Sequence, residues 1–378
     1  MRNQPAGLYI HIPFCFSRCP YCGFYSQTDL DLIPSFVSAL KQEMSMIAPF
    51  PPAFDTLYLG GGTPSLLEPD VIAEIIEASY RRFPLTTKAE ITIEANPGTV
   101  TPVYLKEIIA VGINRISIGI QSFEDRTLRF LGRMHSAAEA IASIRDAREA
   151  GFENIGIDLM YGLPGQSAKD WITELKTAVS RHPEHIACYM LTFEPRTLFD
   201  EWKNKGKIKA AEDETVSLLF ETTIDFLEKS GYNYYEISNF AKTGHYESRH
   251  NRKYWSHAPY IGLGPSAHSF MEPVRSWNHS SLKKYLKDVR KGRRPVAGNE
   301  TLTDNALILE ATYLGLRTAK GISINDINQR FGMDFGARFA PILKALSKEG
   351  VISLTPERCV LTRKGRLFCD GIAARLAG

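Results

Sequence analysis

Through the first two-thirds of the chain, short apolar and β-branched runs alternate with longer stretches whose apolar positions recur at helical spacing. That pattern gives parallel strands covered by helices. Six strands are predicted, at Leu8 to Ile12, Thr56 to Leu59, Glu90 to Ala95, Arg115 to Ile120, Asn154 to Met160 and Ile186 to Leu191. Helices are predicted at Ile33 to Ile47, Asp70 to Arg82, Thr101 to Val111, Ser136 to Ala150 and Ala168 to Arg181, several opening at a Ser, Thr or Asp cap. Six β/α units make a partial (β/α)6 TIM-like barrel. Asp213 to Lys229 reads as a long helix, and Gly231 to about Trp277 as an irregular, aromatic-rich segment unlike the barrel. Beyond Thr301, helices are predicted at Ala306 to Leu316, Ile324 to Phe331 and Arg338 to Glu349. A hairpin pairing Val351 to Leu354 with Cys359 to Thr362 and a short closing helix follow. Three helices and a hairpin resemble a winged helix. The expected fold is therefore α/β, with a barrel core over 1–230, a connecting segment over 231–300 and a winged-helix-like unit over 301–378.

Composition narrows the function classes. A chain of 378 residues, 44% hydrophobic and 23% charged, can bury a large core. A net charge of +3 with no dense Lys/Arg block does not favour a nucleic-acid partner. Only Arg363-Lys364-Gly365-Arg366, at the possible wing of the tail, points that way. No apolar stretch approaches the roughly 18 to 20 residues that span a bilayer, so no membrane span is expected. Met1 leads into Leu8 to Ile12 without the basic, apolar and small-residue segments of a secretion signal. A cytoplasmic protein is expected.

Three of the six cysteines fall within eight residues, in Cys15-Phe16-Ser17-Arg18-Cys19-Pro20-Tyr21-Cys22, whereas Cys188, Cys359 and Cys369 lie far away. This is no disulfide scaffold. Pro20 opposes a helix here, so a loop leaving the first strand is expected to gather the three sulfurs. Each iron of a four-iron cluster needs one outside ligand, so three thiolates leave one iron open. The amino and carboxylate groups of S-adenosylmethionine can chelate it. A structural zinc site is the alternative; it commonly adds a second Cys pair or His ligands, and no second pair is present.

Other chemistry-bearing residues fall at the carboxyl ends of predicted strands, where barrel enzymes place theirs. Gly60 to Gly62 follow the second strand, Glu94 ends the third region's apolar run, Gln121 follows the fourth strand and Asp158 lies in the fifth. Consecutive glycines allow close backbone approach to a ligand, or simply a tight turn. Glu94 and Asp158 can accept hydrogen bonds from ribose hydroxyls.

The run Tyr9-x-His11-Ile12-Pro13-Phe14-Cys15-x3-Cys19-x2-Cys22 resembles the signature of radical S-adenosylmethionine (SAM) proteins, and specifically the oxygen-independent coproporphyrinogen III oxidase family. The resemblance continues through Gly60 to Ser65, Glu94-Ala95-Asn96-Pro97, Ile118 to Phe123, Asp158 to Gln166 and His250-Asn251-x-x-Tyr254-Trp255, and so covers nearly the whole chain. It implies a radical SAM barrel holding a 4Fe–4S cluster on Cys15, Cys19 and Cys22. It also implies SAM contacts at Tyr9, Gly61, Gly62, Thr63, Glu94, Gln121, Arg133 and Asp158.

The family's true oxidases carry a long amino-terminal extension and a further cysteine two residues after the third. Here a short leader precedes Cys15, and Phe24 stands at that later position. This pattern resembles the haem-chaperone branch, in which the His-Asn-x-x-Tyr-Trp element is tied to haem binding. The resemblance thus implies haem as cargo, a haem-acceptor protein and an electron donor. His250 is expected either to contact haem or to brace two parts of the chain. His245, His257, His268 and His279 lie in the same aromatic-rich segment, where imidazoles can ligate iron and rings can pack on a porphyrin. The alternative is an oxidase that converts two propionates of coproporphyrinogen III into vinyl groups. Relatives usually carry glycine where Arg196 stands and proline where Leu198 stands.

Overall fold

A computed structural model describes residues 4–49 and 53–377. All six expected strands form: β1 (Ala6–Ile12), β2 (Phe54–Gly61), β3 (Leu85–Ala95), β4 (Arg115–Gln121), β5 (Ile155–Tyr161) and β6 (His185–Met190). They pair in parallel and in sequence. The intervening helices begin where sequence places them; Ser136 and Ser167 each close a capping box with the acidic residue three positions on.

The pleat separates two kinds of side chain. Facing the helices are Leu8, Ile10 and Ile12 of β1, Ile116, Ile118 and Ile120 of β4, and Ile155, Ile157 and Leu159 of β5, all fully buried. The alternate positions carry Tyr9 and His11, Arg115, Ser117, Gly119 and Gln121, and Gly156 and Asp158. A barrel filled by its own side chains would carry bulky branched residues on that inner face. Polar residues and glycines there leave a lumen.

The barrel does not close. The 231–300 segment is also more regular than its residue pattern conveys, because it flanks the six strands on both sides. β7 (Asn233–Glu236) and β8 (Asn239–Ala241) form a hairpin, and β8 runs antiparallel to β6. β9 (Tyr260–Leu263) lies parallel to β1, followed outward by β10 (His268–Met271), β11 (Val274–Asn278) and β12 (Val296–Thr301). The result is a twelve-stranded sheet of order β12-β11-β10-β9-β1-β2-β3-β4-β5-β6-β8-β7. Its short strands lack the unbroken apolar runs by which buried parallel strands are read from sequence.

The tail folds around its own core of Phe335, Phe339, Leu343, Leu346, Ile352 and Leu361. Helices Asp304–Leu316, Ile324–Phe331 and Phe335–Lys348 precede the hairpin of β14 (Ile352–Leu354) and β15 (Arg358–Leu361), and β13 (Ile322–Ser323) adds a third strand against β15. The basic run differs from its expected position. Arg363–Arg366 is a short helix after the hairpin, not its tip. Arg363 pairs with Asp225 at 2.7 Å, and Arg366 lies over the Tyr234 ring at 3.9 Å, so both are spent on the core. No helix among the described residues is long and apolar enough to cross a membrane.

Candidate functional site

The cysteine loop leaves β1 and is closed at its root: the Cys15 N–H donates to the Gln27 carbonyl (3.0 Å), and the Gln27 N–H to that of Pro13 (2.8 Å). Cys22 N–H donates to the Cys19 carbonyl at 3.1 Å, tightening the second half into a turn. Pro20 fits against Gly132, whose φ is +67° and where a Cβ would come within 2.6 Å of the proline ring. The three half-buried thiols line one cavity of about 260 Å³ together with Gly61, Gly62, Thr63, Asn96 and Arg133.

Donors are aimed at the sulfurs. The Thr63 hydroxyl donates to Cys15 Sγ at 3.5 Å and Arg133 Nη1 to Cys19 Sγ at 3.7 Å. Arg133 also donates to the Gly119 carbonyl at 2.8 Å and to the Asn96 side chain, whose Nδ2 donates to Thr63 at 2.9 Å. Burial pushes the Cys22 thiol up to about 11, so binding a metal there releases a proton. Among the described residues no group of three or more His, Cys, Asp or Glu is placed to hold a single metal ion. Three thiols spread round one cavity, with N–H and O–H donors at two of them, fit a multi-iron cluster tuned by hydrogen bonds to sulfur.

The glycine turn at the end of β2 sits against this loop. Gly62 N–H donates to the Ile12 carbonyl (2.8 Å) and Thr63 N–H to that of Phe14 (2.7 Å), and a Cβ on Gly62 would lie 2.6 Å from the Phe14 oxygen. Gly61 has φ +115° and a Cβ there would meet the His11 ring at 2.7 Å. The close approach is thus first to the chain itself, which seats the thiols over the turn. Glu94 completes it, accepting from Gly61 N–H (3.1 Å) and the Tyr58 hydroxyl (2.8 Å).

Asp158 accepts from Ser117 at 3.3 Å. Burial and then the negative charge of Glu94 push its carboxyl up to about 7, against the pull of Arg115. Burial also raises Glu94. The Arg115 side chain is 1% exposed and its Nε has no hydrogen-bond partner among the described residues; Glu90 is the carboxylate whose charge acts on it most strongly, with Asp158 behind it. Gln121 ends β4 with φ +67°, an uncommon conformation for a non-glycine residue that turns the chain out of the strand.

Six of the eight expected SAM residues divide between two cavities, and Gln121 and Asp158 line neither. Gly61, Gly62, Thr63 and Arg133 line the thiol cavity, whereas Tyr9 and Glu94 line a larger cavity of about 510 Å³ in the lumen. That second cavity is walled by His11, Phe24, Tyr25, Tyr58, Tyr189, His250, Tyr254, Tyr260 and His268. His250 has the geometry of a brace. It is 1% exposed; its Nδ1 pairs with the Thr56 hydroxyl at 2.8 Å and its Nε2 with that of Tyr254 at 3.0 Å. The Glu90 carboxylate accepts from the backbone N–H groups of Arg249 and His250, fixing the start of helix Arg249–Trp255 on β3. Burial, then Lys253 and Arg115, drop the His250 imidazole to about 3, so it is neutral.

Two departures from the family pattern acquire a physical meaning. Arg196 has φ +69°, where glycine is at ease, and Leu198 is the first residue of helix Leu198–Asn204 behind the Thr197 cap, where proline is favoured. Arginine and leucine occupy positions shaped for glycine and proline, and the turn is kept. Asn96, His11, Tyr58 and Arg115 were not among the expected site residues. Asn96 lies two residues past Glu94 and His11 two past Tyr9, so strand alternation already placed each on its partner's face.

The fold and the thiol loop define a radical SAM protein: residues 9–178 match the Radical SAM superfamily, and residues 302–368 match the HemN C-terminal domain. The solved structure of coproporphyrinogen III oxidase (HemN) from Escherichia coli superposes with a TM-score of 0.86 at 27% identity, covering 100% of this chain and 91% of that one. Heme chaperone HemW of Bacillus subtilis (strain 168) is 34% identical over 374 residues, 98% of each chain. Heme chaperone HemW of Escherichia coli (strain K12) is 38% identical over 272 residues, 71% of each. This chain belongs to the HemW family.

Proposed function

We propose that this protein binds haem and passes it to an acceptor protein, and that it carries a 4Fe–4S cluster on Cys15, Cys19 and Cys22 with SAM beside it. The observation that carries the reading is the 34% identity across 98% of both chains to a relative named as a haem chaperone. When bound, the cluster and SAM supply one-electron chemistry, which requires an electron donor. The chain's own residues do the holding. The three thiolates bind iron, and Thr63 and Arg133 donate to sulfur. Gly61 and Gly62 leave space for the amino end of SAM, while Glu94 and Asp158 accept from hydroxyls, with Tyr9 and Gln121 bounding the site.

A second reading, oxidative decarboxylation of coproporphyrinogen III, is favoured by the superposition on HemN. Phe24, 73% exposed where the oxidases place a further cysteine, favours the chaperone. Anaerobically reconstituted protein titrated with haem and assayed for coproporphyrinogen turnover separates the two. Haem binding without turnover is expected. Turnover with no haem affinity refutes the chaperone reading and establishes the oxidase.

A further inference from the structure

Three imidazoles face the larger cavity, and they differ in what their nitrogens are doing. His11 spends Nδ1 on the Tyr9 hydroxyl (3.2 Å) and Nε2 on the Tyr25 carbonyl (2.8 Å). His250 spends both on Thr56 and Tyr254. His268 makes no side-chain hydrogen bond among the described residues, and it is exposed where the others are buried. Two of the three rings are thus structural. One is free to take a ligand.

The frame around His268 is firm. Its residue pairs with Trp277 across the antiparallel β10–β11 ladder, and the two rings stack with centroids 6.1 Å apart and planes 28° from parallel. Trp277 therefore sets the plane in which the imidazole presents its nitrogens. Partial burial of the ring, then the charge of Arg275, lower its basicity below the ordinary value of 6.5. The rest of the wall is aromatic: Phe24, Tyr25, Tyr189, Tyr254 and Tyr260 present ring surface for a flat apolar ligand. Among the described residues no Lys or Arg lines the cavity, so the carboxylates of such a ligand would point out toward solvent. A volume of about 510 Å³ lies within the ordinary range for sites that enclose a small molecule.

The geometry points to His268 as the axial ligand to haem iron, with the macrocycle seated in the aromatic lumen cavity. This rests on the haem-chaperone reading. One Fe–N bond forms, from the unprotonated ring nitrogen, and it replaces the bond from iron to the solvent ligand, which leaves as water; the oxidation state of the iron does not change. For His250 to ligate instead, it would have to give up its bond to Thr56 or Tyr254, leaving a buried hydroxyl unpaired. His268 gives up nothing.

The test compares wild type with His268→Ala, each with its cluster reconstituted, by titration with ferric haem and with iron-free protoporphyrin IX. Difference absorption and low-temperature electron paramagnetic resonance (EPR) of the haem iron are the readouts. His268→Ala should bind haem at least about tenfold more weakly, with a shifted Soret band and altered ferric signal. Protoporphyrin affinity should be unchanged, and added imidazole should restore the wild-type haem spectrum. A wild-type Soret band and affinity in His268→Ala overturn the assignment while leaving the chaperone reading intact. Equal loss of haem and protoporphyrin also overturns it, since it shows a role in cavity shape. Failure of wild type to bind haem at all refutes the chaperone reading itself, and this assignment with it.

Discussion

Replacing Glu43 by glutamine tests how the strands that wall the lumen cavity are fastened. Glu43, on helix Ile33–Met46, is 2% exposed and accepts from Gly264 N–H (2.8 Å), the Tyr285 hydroxyl (2.7 Å) and Asn278 Nδ2 (2.6 Å). It ties that helix to the turn after β9, the end of β11 and helix Leu282–Arg290. The tie reaches the site: a Cβ on Gly264 would stand 2.5 Å from the His11 carbonyl. Burial pushes the carboxyl from its ordinary 4.5 up to about 7; the three hydrogen bonds and the charge of Arg294 only partly offset this. Between these values the unfolded chain is ionised while the folded protein holds the proton. The folded state therefore binds more protons, and stability falls as pH rises from about 4.5 to about 7, then levels off. At 1.36 kcal/mol per pH unit the fall is about 3 kcal/mol. Other carboxyls and imidazoles titrate in the same window, so the quantity to measure is the difference between wild type and Glu43→Gln. Urea unfolding at pH 5 and pH 8 supplies it. Wild type should lose about 2.5 kcal/mol more than the variant over that interval, although the variant carries a pH-independent cost because its amide donates where the carboxylate accepted. Parallel pH profiles for the two proteins would refute the reasoning.

Cys15→Ala, Cys19→Ala and Cys22→Ala should each abolish the cluster, while Cys188, Cys359 and Cys369, all buried elsewhere, should be dispensable; iron analysis after anaerobic reconstitution decides, and a full cluster in Cys19→Ala contradicts the ligand set. Glu94→Ala and Asp158→Ala should weaken the change that SAM makes in the EPR spectrum of the reduced cluster without removing iron, and an unaltered SAM response in both counts against their role. His250→Ala leaves the Thr56 and Tyr254 hydroxyls unpaired and should cost about 2–4 kcal/mol in urea unfolding, with the Soret band of bound haem unmoved; a moved band at unchanged stability contradicts the bracing role. Leu198→Pro should stabilise by about 0.4–1 kcal/mol, because Thr197 already has the extended backbone (ψ 160°) that precedes proline. A lowered melting temperature for Leu198→Pro disproves that account.

The sequence by itself determined the six parallel strands, the loop character of the cysteine run and the family. Each is written locally: β-branched runs of strand length, a proline inside Cys19-Pro20-Tyr21-Cys22, and motifs of a few residues. Tyr9, Glu94 and Asp158 stand out from motif and strand end alone. That Tyr9 and Glu94 line the lumen cavity while Gly61, Gly62, Thr63 and Arg133 line the thiol cavity was not legible, because it depends on which neighbours the sheet brings across. The fate of the histidines was decided only by tertiary structure. His250 and His268 carry the same imidazole eighteen positions apart in one aromatic segment, yet one meets Thr56 from β2 while the other stacks on Trp277 and faces open space. The basic run Arg363 to Arg366 likewise read as a wing until Asp225 and Tyr234, distant in sequence, were found beneath it. A local pattern fixes the chemistry a residue can offer. Which polar atoms remain unpaired in the folded chain depends on long-range partners, and that decides what the residue can bind.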